Sequence, residues 1–207
     1  MGSSRHLCDS ARHCVLAESH VIDRRRAQRA GQRLAGTKMP AIKLFSPNDD
    51  GEIDMALLCS EQGAQGAVIY LFPGEMSGPD GKRSADADSA QARDFEDHHL
   101  QLIQMGWRLA GVSAQEPGEQ LKHIFTNAID HTVLADPQLH LARKLGLPTY
   151  AGVPRRRYSR LALIAEQGCI THALCLSEAP ERSARLVVAW LKERPASYGP
   201  PNIRLPM

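Results

Sequence analysis

The sequence predicts an α/β fold, with a central sheet flanked by helices in one main domain. Three observations lead there. Gly66-Ala-Val-Ile-Tyr-Leu-Phe72 and Trp107-Arg-Leu-Ala-Gly-Val112 are almost wholly apolar, as strands covered on both faces are. The segments that follow them carry apolar residues at helical spacing, and the first ends at Gly106. With 207 residues and 43% hydrophobic content, the chain can bury one good core.

The elements follow in order. Residues 1–35 form a basic N-terminal extension, helical or partly disordered, with arginine at 24–26, 29 and 33 and no strand pattern. Ser10 can cap a helix there, with Val15, Val21, Ile22 and Ala30 on one side, and the arginine run reads as a solvated helix face. From Gly36 the pattern changes. Ala41–Phe45 and Glu52–Met55 read as a hairpin about the turn Pro47-Asn-Asp-Asp-Gly51. The strand at 66–72 leads into a polar loop, 74–88. A helix is expected from about Ser89 to Met105, with Ala92, Phe95, Leu102 and Met105 on one face and Gly106 as its stop. Trp107–Val112 is a second core strand. Pro117–Ala128 reads as a helix whose inner face is Leu121, Ile124, Phe125 and Ala128. Thr132–Ala135 is a short strand, and Asp136-Pro137 opens a helix that closes at Gly146. Arg160–Ala165 and Ile170–Leu176 form a hairpin about Glu166-Gln-Gly168. A last helix, 181–193, turns Leu186, Val187, Trp190 and Leu191 inward, and 196–207 is a tail. The main domain, 36–195, thus has a thioredoxin-like order of strands and helices, with about five strands in its sheet.

Composition narrows the function classes. A net charge of +2 marks neither a nucleic-acid nor a membrane surface. No apolar run approaches the roughly 20 residues of a membrane helix, and the N-terminus has no secretory apolar stretch. Residue 6 is His rather than Ser or Thr, so the N-terminus is a poor acylation site. Five loosely spaced cysteines (8, 14, 59, 169 and 175) fit reduced thiols and a cytoplasmic protein.

Several ordered anchors carry a resemblance: Gly36-Thr-Lys-Met-Pro40, Pro73-x-x-x-Ser77-x-x-Asp80, Gly111-Val-Ser-Ala114, Leu134-Ala-Asp136 with Ala142-Arg-Lys-Leu-Gly146, and Arg160-Leu-Ala-Leu-Ile164 with Gly168. Over about residues 36–192 the chain resembles the peroxiredoxins, the alkyl hydroperoxide reductase and thiol-specific antioxidant family. In that family a strand runs into Pro-x-x-x-Thr/Ser-x-x-Cys. The cysteine attacks peroxide, and an arginine matching Arg160 sits beside it. Here no cysteine lies between Cys59 and Cys169. Counting forward from Pro73 puts Asp80 at the cysteine position. Counting back from Phe95-Glu-Asp97 by the family spacing puts Asp88 there, as though the loop held an insertion. Both counts land on an aspartate.

A carboxylate cannot pass through a sulfenic acid and be recycled by a thiol. The resemblance therefore implies loss of thiol peroxidase chemistry and survival of an anion-friendly pocket. Its candidate residues are Asp80 or Asp88 as a base, with Ser77 and Arg160 positioning a small anionic or carbonyl-bearing substrate. Each has a plainer reading. Pro79-Asp80-Gly81 is a turn sequence. Asp88 with Gln91 is a capping-box pattern at the start of the expected helix. Ser77 can serve loop backbone, and Arg160 can be a structural ion-pair partner. His99, between Phe95 and Leu102 at helical spacing, reads as a buried core histidine, and His98 as facing solvent.

Other constellations are weaker. His6, Cys8, His13, Cys14 and His20 match no zinc spacing, so no metal or other cofactor is expected. Cys169 and Cys175 have the same parity along one strand and should share a sheet face. Cys59 offers a displaced nucleophile without an activating neighbour. Three functions remain open: a non-redox enzyme on the inherited pocket, a non-enzymatic binding or regulatory scaffold, and a thiol peroxidase using a displaced cysteine. A small-molecule ligand and a homodimer are the expected partners.

Overall fold

The computed structural model describes residues 29, 31–74, 81–152 and 154–193, those at 81–84 as backbone only. Nine strands and six helices follow in chain order among the named elements of these residues: β1 (Lys43–Ser46), β2 (Gly51–Asp54), α1 (Met55–Ser60), β3 (Gly66–Leu71), α2 (Gly81–Asp97), α3 (His99–Gln104), β4 (Trp107–Ser113), α4 (Pro117–Asn127), β5 (Thr132–Ala135), α5 (His140–Leu145), β6 (Thr149–Tyr150), β7 (Arg157–Tyr158), β8 (Leu161–Glu166), β9 (Cys169–Cys175) and α6 (Ser183–Glu193).

Seven strands make one sheet in the order β2-β1-β5-β4-β3-β8-β9, and β6 pairs with β7 in a separate ribbon. β3, β4 and β5 run parallel, while β8 and β9 return antiparallel on one side and β1 on the other. The apolar run read as a central strand is central, and period-two alternation explains why it has no polar face. Ala67, Ile69 and Leu71 join a core on one face with Met55, Leu141 and Leu145 from α1 and α5. Val68, Tyr70 and Phe72 join a core on the other face with Phe95, Leu102, Ile124 and Val187 from α2, α3, α4 and α6. Leu34, before the first strand, also lies in the first core, and Arg33 donates to the carbonyls of Leu145 and Gly146, 2.7 Å from each, at the C-terminus of α5.

Five local expectations change. The long helix begins at Gly81, not near Ser89, because Lys82–Ala87 is itself helix-forming. It then breaks at His98, so the stretch to Met105 is two helices. Phe125 and Leu186 are 77% and 48% exposed, and the buried residues of their helices include Gln120, Asn127, Ser183 and Ala184 instead. The helix announced by Asp136 starts at His140, and Asp136 reaches forward to accept from the N–H groups of His140 and Leu141. Cys169 and Cys175 do not share a face. Ala165 pairs with Ile170 and Ile164 with His172, so Thr171 is a bulge that inverts the parity between the two thiols. Among the described residues no helix is long and apolar enough to cross a membrane.

Candidate functional site

The end of the sheet that carries the candidate residues is fixed by register. Leu161 pairs with Leu71, so Arg160 stands beside the point where the chain leaves β3. Arg157 donates from Nη1 to the Gly74 carbonyl at 2.8 Å, just past that point. Ser77 and Asp80 lie outside the described residues.

Asp88 is within them, and it is not a helix cap. It sits in the middle of α2, nearly fully buried, with Oδ1 2.7 Å from Nη1 of Arg160. The same Nη1 donates to Oε1 of Gln91 at 2.5 Å. Asp88 and Gln91 are three residues apart and share a helix face, so one turn of α2 supplies both acceptors. Arg160 is 8% exposed, and the opposite charge of Asp88 compensates its burial. The arrangement brings Arg160 and Asp88 together as an interior ion pair, the second of the two aspartates weighed from sequence.

Among the described residues, Nε2 of Gln91 and Nε2 of His123 have no hydrogen-bond partner. His123 stacks on Phe72 with ring centroids 5.2 Å apart. Burial brings its imidazole down to about 4, and the nearby positive groups His131, Arg160 and Arg93 push the same way. It is neutral at pH 7.

A second polar network lies along the same helix. Tyr70, fully buried in β3, stacks on Phe95 at 4.1 Å, and its hydroxyl is 2.8 Å from Nε2 of His131. On the other side of that ring, Nδ1 of His131 is 2.6 Å from Oε2 of Glu96. Glu96 also accepts from the backbone N–H groups of Asp130 and His131. Burial raises the Glu96 carboxyl, but these hydrogen bonds outweigh it and hold it at about 2. Burial pushes the Tyr70 phenol far up, helped by the charges of Glu96 and Asp88. Gly111 makes room for it: a Cβ there would meet the tyrosine hydroxyl at 2.6 Å.

His99 is half-buried rather than a core residue. It begins α3 with Nδ1 4.0 Å from Oε1 of Glu96, and its ring meets that of His131 edge-on at 5.5 Å. His98 does not face solvent fully, since its Nδ1 lies 2.7 Å from the Asp94 carbonyl. Asp94 in turn caps α6, accepting from the N–H of Ala184 at 2.6 Å. Reasoning from sequence missed Tyr70, Gln91 and His131. The one signal on offer was a tyrosine inside an otherwise aliphatic strand, because a buried phenol needs a partner.

Of the described thiols, Cys59 and Cys169 lie at the other end of the sheet from Arg160, whereas Cys175 pairs with Leu161 on the strand beside it. Cys59 is buried at the end of α1, and burial pushes its thiol up to about 12. It lines a crevice of 310 Å³ with Ser60, Glu61 and Gln167, near the N-terminal end of β3 and so at the opposite end of the sheet from Arg160. Cys169 and Cys175 are free and half-buried.

No protein-family model matches the chain, and no curated protein matches it. Solved structures do. Peroxidoxin BcpB from Mycobacterium tuberculosis superposes with a TM-score of 0.62 at 16% identity, over 78% of this chain and 98% of that one. AhpC from Enterococcus faecalis gives 0.62 at 16%, over 77% and 91%. Reduced Prx3 from Vibrio vulnificus, in complex with hydrogen peroxide, gives 0.57 at 21%, over 74% and 95%. At such identities the likeness speaks for architecture. The chain has the thioredoxin-like fold in the form that peroxiredoxins share.

Proposed function

We propose that the chain descends from the peroxiredoxins and has given up thiol peroxidase chemistry, and that it now serves as a non-enzymatic binding or regulatory scaffold. One observation carries this reading: the buried ion pair of Arg160 with Asp88. In a peroxiredoxin the arginine favours a thiolate. Here a carboxylate on the neighbouring helix takes up its charge, and a pair this deeply enclosed presents neither a nucleophile nor a reachable base. Cys59 does not fill the gap, because a thiol held at about 12 is almost wholly protonated at pH 7.

A second reading, non-redox acid/base chemistry on a small anionic or carbonyl substrate, is favoured by the nitrogens of Gln91 and His123 close to the pair, which have no partner among the described residues. On this reading Arg160 and Ser77 position the substrate and Asp80 or Asp88 acts as base. A cytoplasmic homodimer belongs to both readings.

The test is steady-state turnover of hydrogen peroxide and an organic hydroperoxide with a thiol reductant. The expected result is no rate above that of free cysteine and no sulfenic acid by mass spectrometry. Saturable turnover that Cys59→Ser abolishes would overturn the proposal. A thermal-shift screen of small carboxylates and carbonyl compounds separates the two readings. A stabilisation lost in Arg160→Lys supports the enzyme pocket, and a flat profile supports the scaffold.

A further inference from the structure

Glu96, His99 and His131 come from three places: the last turn of α2, the first residue of α3 and the segment before β5. Each offers one ligand atom, and these atoms all lie within 4.8 Å of one another. We propose that they form a three-ligand site for a divalent cation of the zinc class, with a fourth position open to water.

The donor set sets the metal class. Two imidazoles and one carboxylate suit zinc and its first-row neighbours, whereas calcium and magnesium prefer oxygen shells. Ligand atoms on a tetrahedral ion with bonds of about 2.0–2.1 Å stand about 3.3 Å apart. Glu96 Oε2 and His131 Nδ1 are 2.6 Å apart, and Glu96 Oε1 and His99 Nδ1 are 4.0 Å apart. These two separations use different Glu96 oxygens; with one ligand atom from each residue all three lie within 4.8 Å of one another, and side-chain rotation brings that set to the required spacing. The break at His98 leaves His99 free to turn, because it is the first residue of a new short helix and not the interior of a long one.

The surroundings fit as well. A ligating histidine normally engages its other ring nitrogen in a fixed hydrogen bond. For His131 that partner is Tyr70, 2.8 Å from Nε2 and locked by stacking on Phe95. With Nδ1 on a metal, Nε2 would carry the ring proton and donate it to the Tyr70 oxygen. Access is from the rim: the His131 side chain is sealed, while those of His99 and Glu96 are 20% and 23% exposed. Those two reach the surface, so an ion would enter from their side.

The experiment uses the full chain, stripped with a chelator, and titrates Zn²⁺ by calorimetry and Co²⁺ by visible absorption. A Cys8→Ser/Cys14→Ser background keeps the N-terminal Cys/His cluster from contributing. The expected result is one equivalent bound, a four-coordinate Co²⁺ spectrum without thiolate bands, and a raised melting temperature. His99→Ala, at a half-exposed position, should abolish the spectrum. Tyr70→Phe should weaken binding by about 10–100-fold, the usual effect of removing an outer hydrogen-bond partner. His140→Ala, a control histidine beside Asp136, should change nothing. No saturable binding, or binding that His99→Ala and Glu96→Gln leave unchanged, overturns the proposal.

Discussion

Nη1 of Arg160 and Oδ1 of Asp88 meet at 2.7 Å across the interface between the sheet and α2, one residue ahead of β8 on one side and midway along the helix on the other. Neither side chain has appreciable contact with water. Their attraction in a poorly polarisable interior must offset the desolvation of both, and it does so only while both are present.

Removing one partner should therefore cost far more than removing both. Asp88→Leu or Arg160→Met alone is expected to lower the unfolding free energy by about 3–5 kcal/mol, the usual penalty for a lone buried charge. The double variant should lose less than either single variant, giving a coupling energy above about 3 kcal/mol in a urea double-mutant cycle. Additive losses would mean that the two side chains stabilise the fold independently.

His123 makes stability depend on pH in a definite direction. Its imidazole titrates near 6.5 in the unfolded chain and at about 4 in the folded one, chiefly because it is buried. Between those values the unfolded state binds more protons, so stability rises with pH and is lost as pH falls from about 6.5 to about 4. The loss from this one group is up to about 3 kcal/mol, because each tenfold drop in proton affinity is worth about 1.4 kcal/mol. Urea midpoints measured across that window should fall steadily in the parent chain, and His123→Gln should flatten the slope. An unchanged slope in the variant would show that other groups govern the acid response.

What the sequence reveals follows from how local each cause is. The strand at 66–71 and the hairpin of β8 and β9 are legible because their patterns are contained within the segments that form them. Asp88 misled as a cap because Asp followed three residues later by Gln is a local capping signal, whereas its partner Arg160 lies 72 positions away and only the family spacing brought the two together. His131 was invisible for the same reason. It sits in a polar stretch, and its burial depends on Tyr70 and Glu96, 61 and 35 residues distant. Phe125 shows the converse error. Helical spacing told which residues share a face but not how wide the buried part of that face is, and Gln120 and Asn127 lie inside while the phenylalanine stays out. The bulge at Thr171 has no marker of its own, since a single inserted residue changes parity without changing composition.

Cys59 gives a chemical check on the loss of thiol reactivity. With its thiol held at about 12 by burial, about one molecule in 10⁵ carries a thiolate at pH 7, and the thiolate is the nucleophile. Alkylation of the native protein with iodoacetamide should label Cys169 and Cys175, which are half-buried, well ahead of Cys59. Cys59 should react only as fast as the fold opens, and its rate should rise to that of a free thiol in denaturant. Peptide mass spectrometry over a time course reads all three sites at once. Rapid labelling of Cys59 in the native state would mark an activated, accessible thiol and reopen the case for a displaced peroxidatic cysteine.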